Sequence, residues 1–475
     1  MKTENAFQKI VGIILATISI AVTSILSLKI NVEGLSPEAL RTLGVLLATL
    51  FLQLFNSFNL CVTCLLSSVL LILFKTLPVD PVTGEQILSK AFEGYTNLVL
   101  FFIIASFGIS AAFQKSVFSK KFLALLLKLK NLSAKKITFI FMACACILSS
   151  IMSNVAAVVI FIPYLEKYLE FISDENKRKK TAKNTYIGLA VSALIGGMIT
   201  PAGSSVNLIG LELFKKATGR TVTFVEWMKF GLPLAIVMLF VAFLIINLVF
   251  KPEDPTKEEI QKFKDYVNDS PKPKFVDYYI IVVIGLTLIA WILSSWVPQI
   301  NITITAIIAF ALMFIPGFSV LTWKEFNKVN SWGAFFVTGN LITLSSVAME
   351  NKLFDFFTTS IFSSNIHLPL IVLLMFVALI TFALMAIIPS APAVANILIP
   401  ILVIFASTIG VDPYPVFMVS ILCIPNIYLF PLDAPLLACY EKKAFKMFEL
   451  PKATIWIQLS MVVIAATMVY LINLI

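Results

Sequence analysis

Apolar runs separated by short charged stretches cover this 475-residue chain from end to end. The first three runs are residues 10–28, 39–55 and 60–74. Runs of this kind, near the ~20 apolar residues that span a bilayer as a helix, predict membrane crossings. A polar stretch, 75–97, leads into a fourth run at 98–113. Residues 115–136 then carry seven lysines and no acidic residue. Within them, 117–129 mixes apolar and basic positions, which predicts a helix lying on the membrane surface. Residues 137–168 are too short for two full crossings and suit a re-entrant hairpin instead. A charged segment, 166–183, returns the chain to the same face. The next run, 187–199, breaks at Thr200-Pro201-Ala202-Gly203-Ser204-Ser205 and resumes at 206–214. A further run, 230–250, ends at the longest polar segment, 251–277, which reads as a linker between halves.

The second half repeats the plan. Runs fall at 278–297, 302–316 and 332–349, followed by an apolar hairpin at 368–409. A run from 415 breaks at Phe430-Pro431-Leu432-Asp433-Ala434-Pro435, and the final run is 455–474. The two hairpins carry similar sequences, Ser153-Asn154-Val155-Ala156-Ala157-Val158-Val159-Ile160-Phe161-Ile162-Pro163 and Ser390-Ala391-Pro392-Ala393-Val394-Ala395-Asn396-Ile397-Leu398-Ile399-Pro400. They agree at Ser153/Ser390, Ala156/Ala393, Ile160/Ile397, Ile162/Ile399 and Pro163/Pro400. Each hairpin is followed by a second broken helix, at Thr200-Pro201 and at Ala434-Pro435. Polar breaks between apolar half-helices, in matching order in two halves, are the mark of a transporter built from repeats, with its site near the bilayer midplane. Non-helical backbone at that depth is tolerated only where protein or a water-filled cavity covers it.

Composition narrows the class. The chain is 59% hydrophobic and 13% charged, against roughly 25% charged in soluble domains. This predicts an all-α polytopic membrane protein. The first run is too long for a cleavable signal and shows no small-residue cleavage site. The net charge of +10 does not indicate nucleic acid, because the basic residues sit in short connections between spans. With a cytoplasmic N-terminus and each hairpin entering and leaving on one side, about three-quarters of the 36 Lys and Arg residues fall in cytoplasmic segments. Those segments are 1–9, 115–136, 165–183, 251–274, 317–330 and 441–452. The first hairpin then dips from the cytoplasm and the second from outside, an inverted repeat. The six cysteines lie in or beside apolar runs. Cys61-x-x-Cys64 has no second pair and no nearby His, so it reads as buried thiols.

Half-helix N-termini present unpaired backbone N–H groups and favour anions. Two such tips, with Ser153, Asn154 and Ser390, suit a small anion without a buried Arg or Lys. Half-helix carbonyls with Ser149, Ser153 and Asn154 suit a hard cation such as Na⁺. Each of these polar residues also has a plainer reading as helix-packing glue. Asp433 is a carboxylate within an apolar run, placed to bind a cation, to accept a proton or to cap the following half-helix. His367, the only histidine, falls at the outer edge of a hairpin and reads as an interface residue. Enzyme chemistry is not supported. There is no His-Glu-x-x-His, no phosphate loop, and only one intramembrane Asp where a dyad needs two. An anion channel remains the rival class.

On these motifs the chain resembles the divalent anion/sodium symporter family (DASS, INDY-like) along nearly its whole length. That family carries Ser-Asn-Thr at each hairpin tip and a Thr-Pro break in each following helix. The first tip here is Ser153-Asn154-Val155 and the first break is Gly197-Met198-Ile199-Thr200-Pro201-Ala202-Gly203. The second tip is Ser390-Ala391-Pro392 and the second break Asp433-Ala434-Pro435. The resemblance implies an elevator-type carrier of C4-dicarboxylates, related di- or tricarboxylates, or sulfate. It implies a homodimer, with scaffold regions at 1–136 and 278–360. Transport regions follow at 137–250 and 366–475, joined by the linker 251–277. It implies substrate contacts at Ser153, Asn154, Val155, Ser390, Ala391, Pro392, Thr200, Pro201, Ala434 and Pro435. It implies a first Na⁺ site at Ser149, Ser153, Asn154 and Gly203, and no organic cofactor. The second cation site is depleted: Ala391, Pro392 and Ala386 stand where the family has oxygen ligands. Asp433 is the candidate for cation or proton coupling in its place. Dicarboxylate exchange, which needs no ion gradient, is therefore the mode the sequence favours over Na⁺ or H⁺ symport. With no targeting peptide, the expected location is the plasma membrane.

Overall fold

The computed structural model describes residues 2–29, 35–129, 131–269, 271–318, 320–361, 368–388, 390–431 and 433–474. Among them the protein is helical, with one isolated β-bridge, Val79 to Gln86. His367 lies outside the described residues. The first half holds α1 (Lys2–Lys29), α2 (Pro37–Leu54), α3 (Leu60–Leu73), α4 (Leu98–Lys115) and α5 (Phe118–Leu126). It continues with α6 (Ala134–Ser149), α7 (Asn154–Glu170), α8 (Glu175–Gly197), α9 (Ser205–Thr218) and α10 (Phe224–Val249). After α11 (Lys257–Asn268) come α12 (Phe275–Leu293), α13 (Ile302–Leu312), α14 (Trp323–Val329), α15 (Trp332–Glu350) and α16 (Leu353–Ile361). The chain closes with α17 (Leu370–Ile387), α18 (Ala391–Thr408), α19 (Pro413–Cys423), α20 (Ala434–Tyr440) and α21 (Pro451–Asn473). Among the described residues, nine helical stretches are long and apolar enough to cross a membrane.

Both hairpins form with their turns at the expected Ser residues, as α6–α7 and α17–α18. Their packing repeats as well. In the first half α6 and α7 pack on α8, and α10 packs on α6 and α8. In the second half α17 and α18 pack on α19, and α21 packs on α17 and α19. The halves are then crossed: α9 packs on α18, and α20 packs on α7. Each resumed half-helix thus lies on the second arm of the other half's hairpin. The small side of α9 makes this possible, since a Cβ on Gly210 would fall 3.2 Å from Ile399 Cδ1 of α18 and 2.4 Å from Ile421 Cδ1 of the adjoining α19.

Two segments differ from the sequence reading. Residues 251–277, read as a linker, contain a helix the sequence reading did not predict, α11. Thr256 and Glu259 form a capping box at its start, and one helical face buries Phe263 and Val267. Phe263 sits 5.0 Å, ring to ring, from Tyr168 of α7. The polar face of an amphipathic helix dominates the composition of such a segment and hides the helix in it. The second break is also longer than expected, since α19 ends at Cys423 rather than near Phe430. Pro425 accounts for the early stop: it lacks the N–H that would continue the ladder.

One large apolar core joins α4 to α13 with α17 to α21, whereas α1–α3, α15 and α16 share three smaller clusters. The segments 165–183, 251–274 and 441–452, placed together by charge count, meet around a cavity of about 1320 Å³. Ion pairs stitch them there: Lys180 to Glu253, Lys183 to Glu449 and Lys442 to Glu166 at 2.9 Å. At another edge Lys115, ending α4, pairs with Glu325 of α14 at 2.6 Å. The Lys115 ammonium and the Thr322 donors hold the Glu325 carboxyl down at about 2. All six cysteines are free thiols, with Cys64 buried and Cys61 half-buried.

Candidate functional site

Among the described residues six serines stand immediately before helices, and four of them act as ordinary caps. Ser36, Ser133, Ser204 and Ser331 each accept a backbone N–H from the following turn. The other two are Ser153 and Ser390, at the hairpin tips, and neither hydroxyl caps its helix. The first-turn N–H groups of α7 and α18 are therefore left without the usual side-chain acceptor. No Lys or Arg occurs anywhere in residues 137–166, 184–214 or 353–440. Both tips, with Val155, Ala391 and Pro392, are partly exposed.

The first tip is built into the first break. α6 ends at Ser149, whose hydroxyl donates to Asn154 Oδ1 at 2.6 Å. The Asn154 amide lies against Gly197, where a Cβ would fall 2.5 Å from Oδ1. α8 ends at that glycine, and the backbone turns through a short 3₁₀ segment, Pro201–Gly203, into α9. A Cβ at Gly203 would meet the carbonyl oxygens of Gly197 at 2.6 Å and Ser149 at 2.9 Å. Two backbone carbonyls from two broken elements thus converge on a residue with no side chain. Side chains donate to three carbonyls of the break, that of Gly197 included. Asn207 Nδ2 donates to Gly197 O at 2.8 Å and to Thr200 O at 3.0 Å. Trp227 Nε1 donates to Met198 O at 2.9 Å. Thr200 Oγ1 donates to the Ser150 carbonyl. The Ser153 N–H reaches Ser110 Oγ on α4 at 3.4 Å.

Asn207 is fully buried, and its Oδ1 has no hydrogen-bond partner. The sequence reading passed over it. Its signal was an amide in the first turn of an apolar half-helix, seven residues after Thr200. Ser110 and Trp227 carried no signal legible without the fold.

The second tip is held differently. Ser390 N–H donates to Ile388 O at 2.7 Å, and Ala391 and Pro392 bring no side-chain oxygen. The polar group behind the tip is Asn396, whose Oδ1 accepts from Ser345 Oγ of α15 at 2.9 Å. Asn396 Nδ2 donates to Pro392 O at 2.7 Å. The second break, 424–433, is propped by Tyr428, whose hydroxyl donates to Asn426 Oδ1 at 2.7 Å. Asp433 is half-buried and caps α20, accepting from Ala434 N–H at 2.8 Å. Of its three expected roles, capping is the one with a bond in place. Pro435 is buried in the first turn of α20 and Ala434 is exposed.

Paired hairpins and broken helices, repeated in two halves of a membrane protein that is helical among the described residues, are the build of secondary transporters. Residues 9–473 match the family described as the sodium:sulfate symporter transmembrane region, and the chain belongs to that family. It is a multi-pass membrane transporter and not an enzyme. It is 24% identical over 402 residues to the sodium-dependent high-affinity dicarboxylate transporter 3 of Caenorhabditis elegans, covering 75% of this chain and 70% of that one. It is 22% identical over 498 residues to the sodium-dependent dicarboxylate transporter SdcS of Staphylococcus saprophyticus, covering 99% and 92%. Among solved structures it resembles the Alcanivorax borkumensis YdaH transporter, whose topology is described as unusual. The TM-score is 0.51 at 14% identity, over 89% of this chain and 98% of that one, so this likeness speaks for the fold.

Proposed function

We propose that the protein is a secondary active carrier of small dicarboxylate anions of the C4 class, coupled to Na⁺ at the first tip. The observation that carries this reading is the pair of tip serines that leave their helix N-termini uncapped. Two uncapped half-helix N-termini, without a Lys or Arg in either hairpin tip, suit an anion with a carboxylate at each end. Ser153, Asn154 and Val155 serve one carboxylate, and Ser390, Ala391 and Pro392 the other. Thr200-Pro201 and Ala434-Pro435 stand behind them. The carbonyls of Ser149 and Gly197, with the Asn154 side chain, form the oxygen-rich set that hard cations take, and Gly203 keeps their approach clear. The names of the relatives support both parts of the reading.

The carrier moves by an elevator step, in which 137–250 and 366–475 travel against 1–136 and 278–360. Support comes from the three smaller clusters that α1–α3 form with α15 and α16 outside the large core, of which two also touch α18 through Ala393, Ile401 and Ile404. The working unit is a homodimer in the plasma membrane with cytoplasmic N-termini. A second reading, exchange of one dicarboxylate for another, is favoured by the second tip, where Ala391, Pro392 and Ala386 supply no side-chain oxygen.

The test is uptake of labelled succinate into proteoliposomes. External Na⁺ is compared with K⁺, and empty vesicles with vesicles preloaded with dicarboxylate. Uptake into empty vesicles that requires Na⁺ is the expected result. Uptake that ignores Na⁺ and needs internal dicarboxylate would replace coupling with exchange. No uptake under any of the four conditions sinks the substrate class.

A further inference from the structure

Between the surface helix α5 and the outward side of α6 lies a cleft of about 620 Å³. Its floor is apolar, formed by Phe113 of α4, Leu125 of α5 and Ile147 of α6. Leu125 is 58% exposed and Ile147 49%, so the floor is open on the side that a bilayer would cover. Lys121, Lys128 and Lys272 stand around the same cleft. Their neighbour Lys120 is already engaged: it donates to Asp269 O at 2.7 Å and lies 4.9 Å over the Tyr266 ring. α5 is fixed at its start as well, because Val117 N–H donates to Asp277 Oδ1 at 2.8 Å. The three cleft lysines, in contrast, have no carboxylate partner among the described residues. Lys121 has only the Phe118 ring, 6.0 Å away, at the limit of a cation–π contact.

A soluble anion would use the lysines and leave the floor bare. A zwitterionic lipid would use the floor, but its own ammonium offsets its phosphate and leaves three cations with no net counter-charge. An anionic phospholipid satisfies both, with acyl chain on the floor and phosphate at the rim. We propose that this cleft binds one anionic phospholipid, its chain along Leu125 and Ile147 and its phosphate among Lys121, Lys128 and Lys272. Ile147 lies just before Ser149, and Phe113 shares α4 with Ser110, which touches the first tip. The lipid therefore bridges the surface helix and the two elements that hold the first tip. This makes transport rate sensitive to anionic lipid. The binding claim itself is independent of which substrate is carried.

The experiment uses the full chain in detergent, delipidated and offered palmitoyl-oleoyl phosphatidylglycerol or phosphatidylcholine, with bound lipid counted by native mass spectrometry. The expected result is one retained phosphatidylglycerol, preferred over phosphatidylcholine by about fivefold or more. Lys121→Glu/Lys128→Glu/Lys272→Glu loses that preference. Ala124→Phe, which fills the cleft and keeps the lysines, loses the retained lipid and decides the matter if the triple variant aggregates. Glycerol 1-phosphate at matched concentration leaves the lipid in place. Equal retention of both lipids by the wild type, retention unchanged in the variants, or displacement by glycerol 1-phosphate overturns the proposal.

Discussion

The two halves use one plan to make two unlike tips. In the first, a carboxamide, a hydroxyl and two backbone carbonyls crowd around glycines, and Asn207 holds the strand of the break in place. In the second, Ala391 and Pro392 occupy the tip, and the polar groups are withdrawn behind it into the Ser345–Asn396 pair. Packing is shared between the halves and oxygen chemistry is not. The contrast teaches that an internal repeat preserves the positions that shape backbone, such as Ser153/Ser390 and Pro163/Pro400, more faithfully than those that supply ligands. It also predicts that the tips differ in what they tolerate.

The largest effect belongs to Gly203→Ala. Its new Cβ would lie 2.6 Å and 2.9 Å from two backbone oxygens, which cannot rotate aside as a side chain can. Either the break shifts or the carbonyls splay, and both remove the oxygen set. Na⁺-driven succinate uptake is expected to fall by about a hundredfold or more, a loss of about 2.7 kcal/mol in an equilibrium sense. Near-normal uptake by this variant would remove the carbonyl cluster from the mechanism.

Asn207→Leu comes next. It keeps the branched shape but strips the amide donor, leaving the Gly197 and Thr200 carbonyls without their side-chain partner. Each buried group so orphaned costs ~1–3 kcal/mol. Uptake is expected to drop by about tenfold with a weaker apparent affinity for Na⁺, and thermal stability in detergent to fall. A loss of stability with unchanged Na⁺ affinity would make Asn207 a structural prop only.

Much of the fold was legible beforehand, because the information lay in runs and interruptions. Apolar length gave the spans, and a short apolar segment with Ser and Pro in its middle gave each hairpin. The order of hairpin and Pro-bounded break gave the repeat. The second break's start at Cys423 was missed because Pro425 sits in a run that is otherwise uniformly apolar. α11 was missed because its apolar face is a minority of a polar stretch. At the first tip, the motif singled out Ser149, Asn154 and Gly203, and the fold brings them together. The crossed packing of α9 on α18 and of α20 on α7 was not, since contacts between distant halves leave no local pattern. Nor was the failure of Ser153 and Ser390 to cap, which depends on side-chain rotation rather than on residue type.

Ser390→Ala and Ser153→Ala sharpen the contrast directly. Ser153 sits beside the oxygen cluster, and its loss is expected to lower uptake severalfold and to raise the Na⁺ requirement. Ser390 stands alone, and its loss should change the apparent succinate affinity by about threefold or less while leaving the Na⁺ dependence untouched. Uptake assays across Na⁺ and succinate concentrations separate the two. Equal shifts in Na⁺ dependence would mean that the second tip also holds a cation.

The smallest effect is expected at Asp433, and it decides how the second half compensates for its bare tip. Asp433 accepts the Ala434 N–H at the start of α20. Asn is as good an acceptor at that position as Asp, so Asp433→Asn should keep the cap and nearly full uptake. Asp433→Ala loses the cap, at about 0.5–2 kcal/mol of local stability. If capping is its whole role, neither variant changes the dependence of uptake on external pH or Na⁺. A carboxylate that carried a proton or held a cation behaves otherwise: Asn, which neither titrates nor bears charge, would flatten the pH profile or raise the Na⁺ requirement while stability stayed intact. Uptake by Asp433→Asn between pH 5 and 8, at saturating and limiting Na⁺, distinguishes the two. A flattened profile would make the second half a coupling partner that replaces tip oxygens with one carboxylate, and an unchanged one leaves ion coupling to the first half alone.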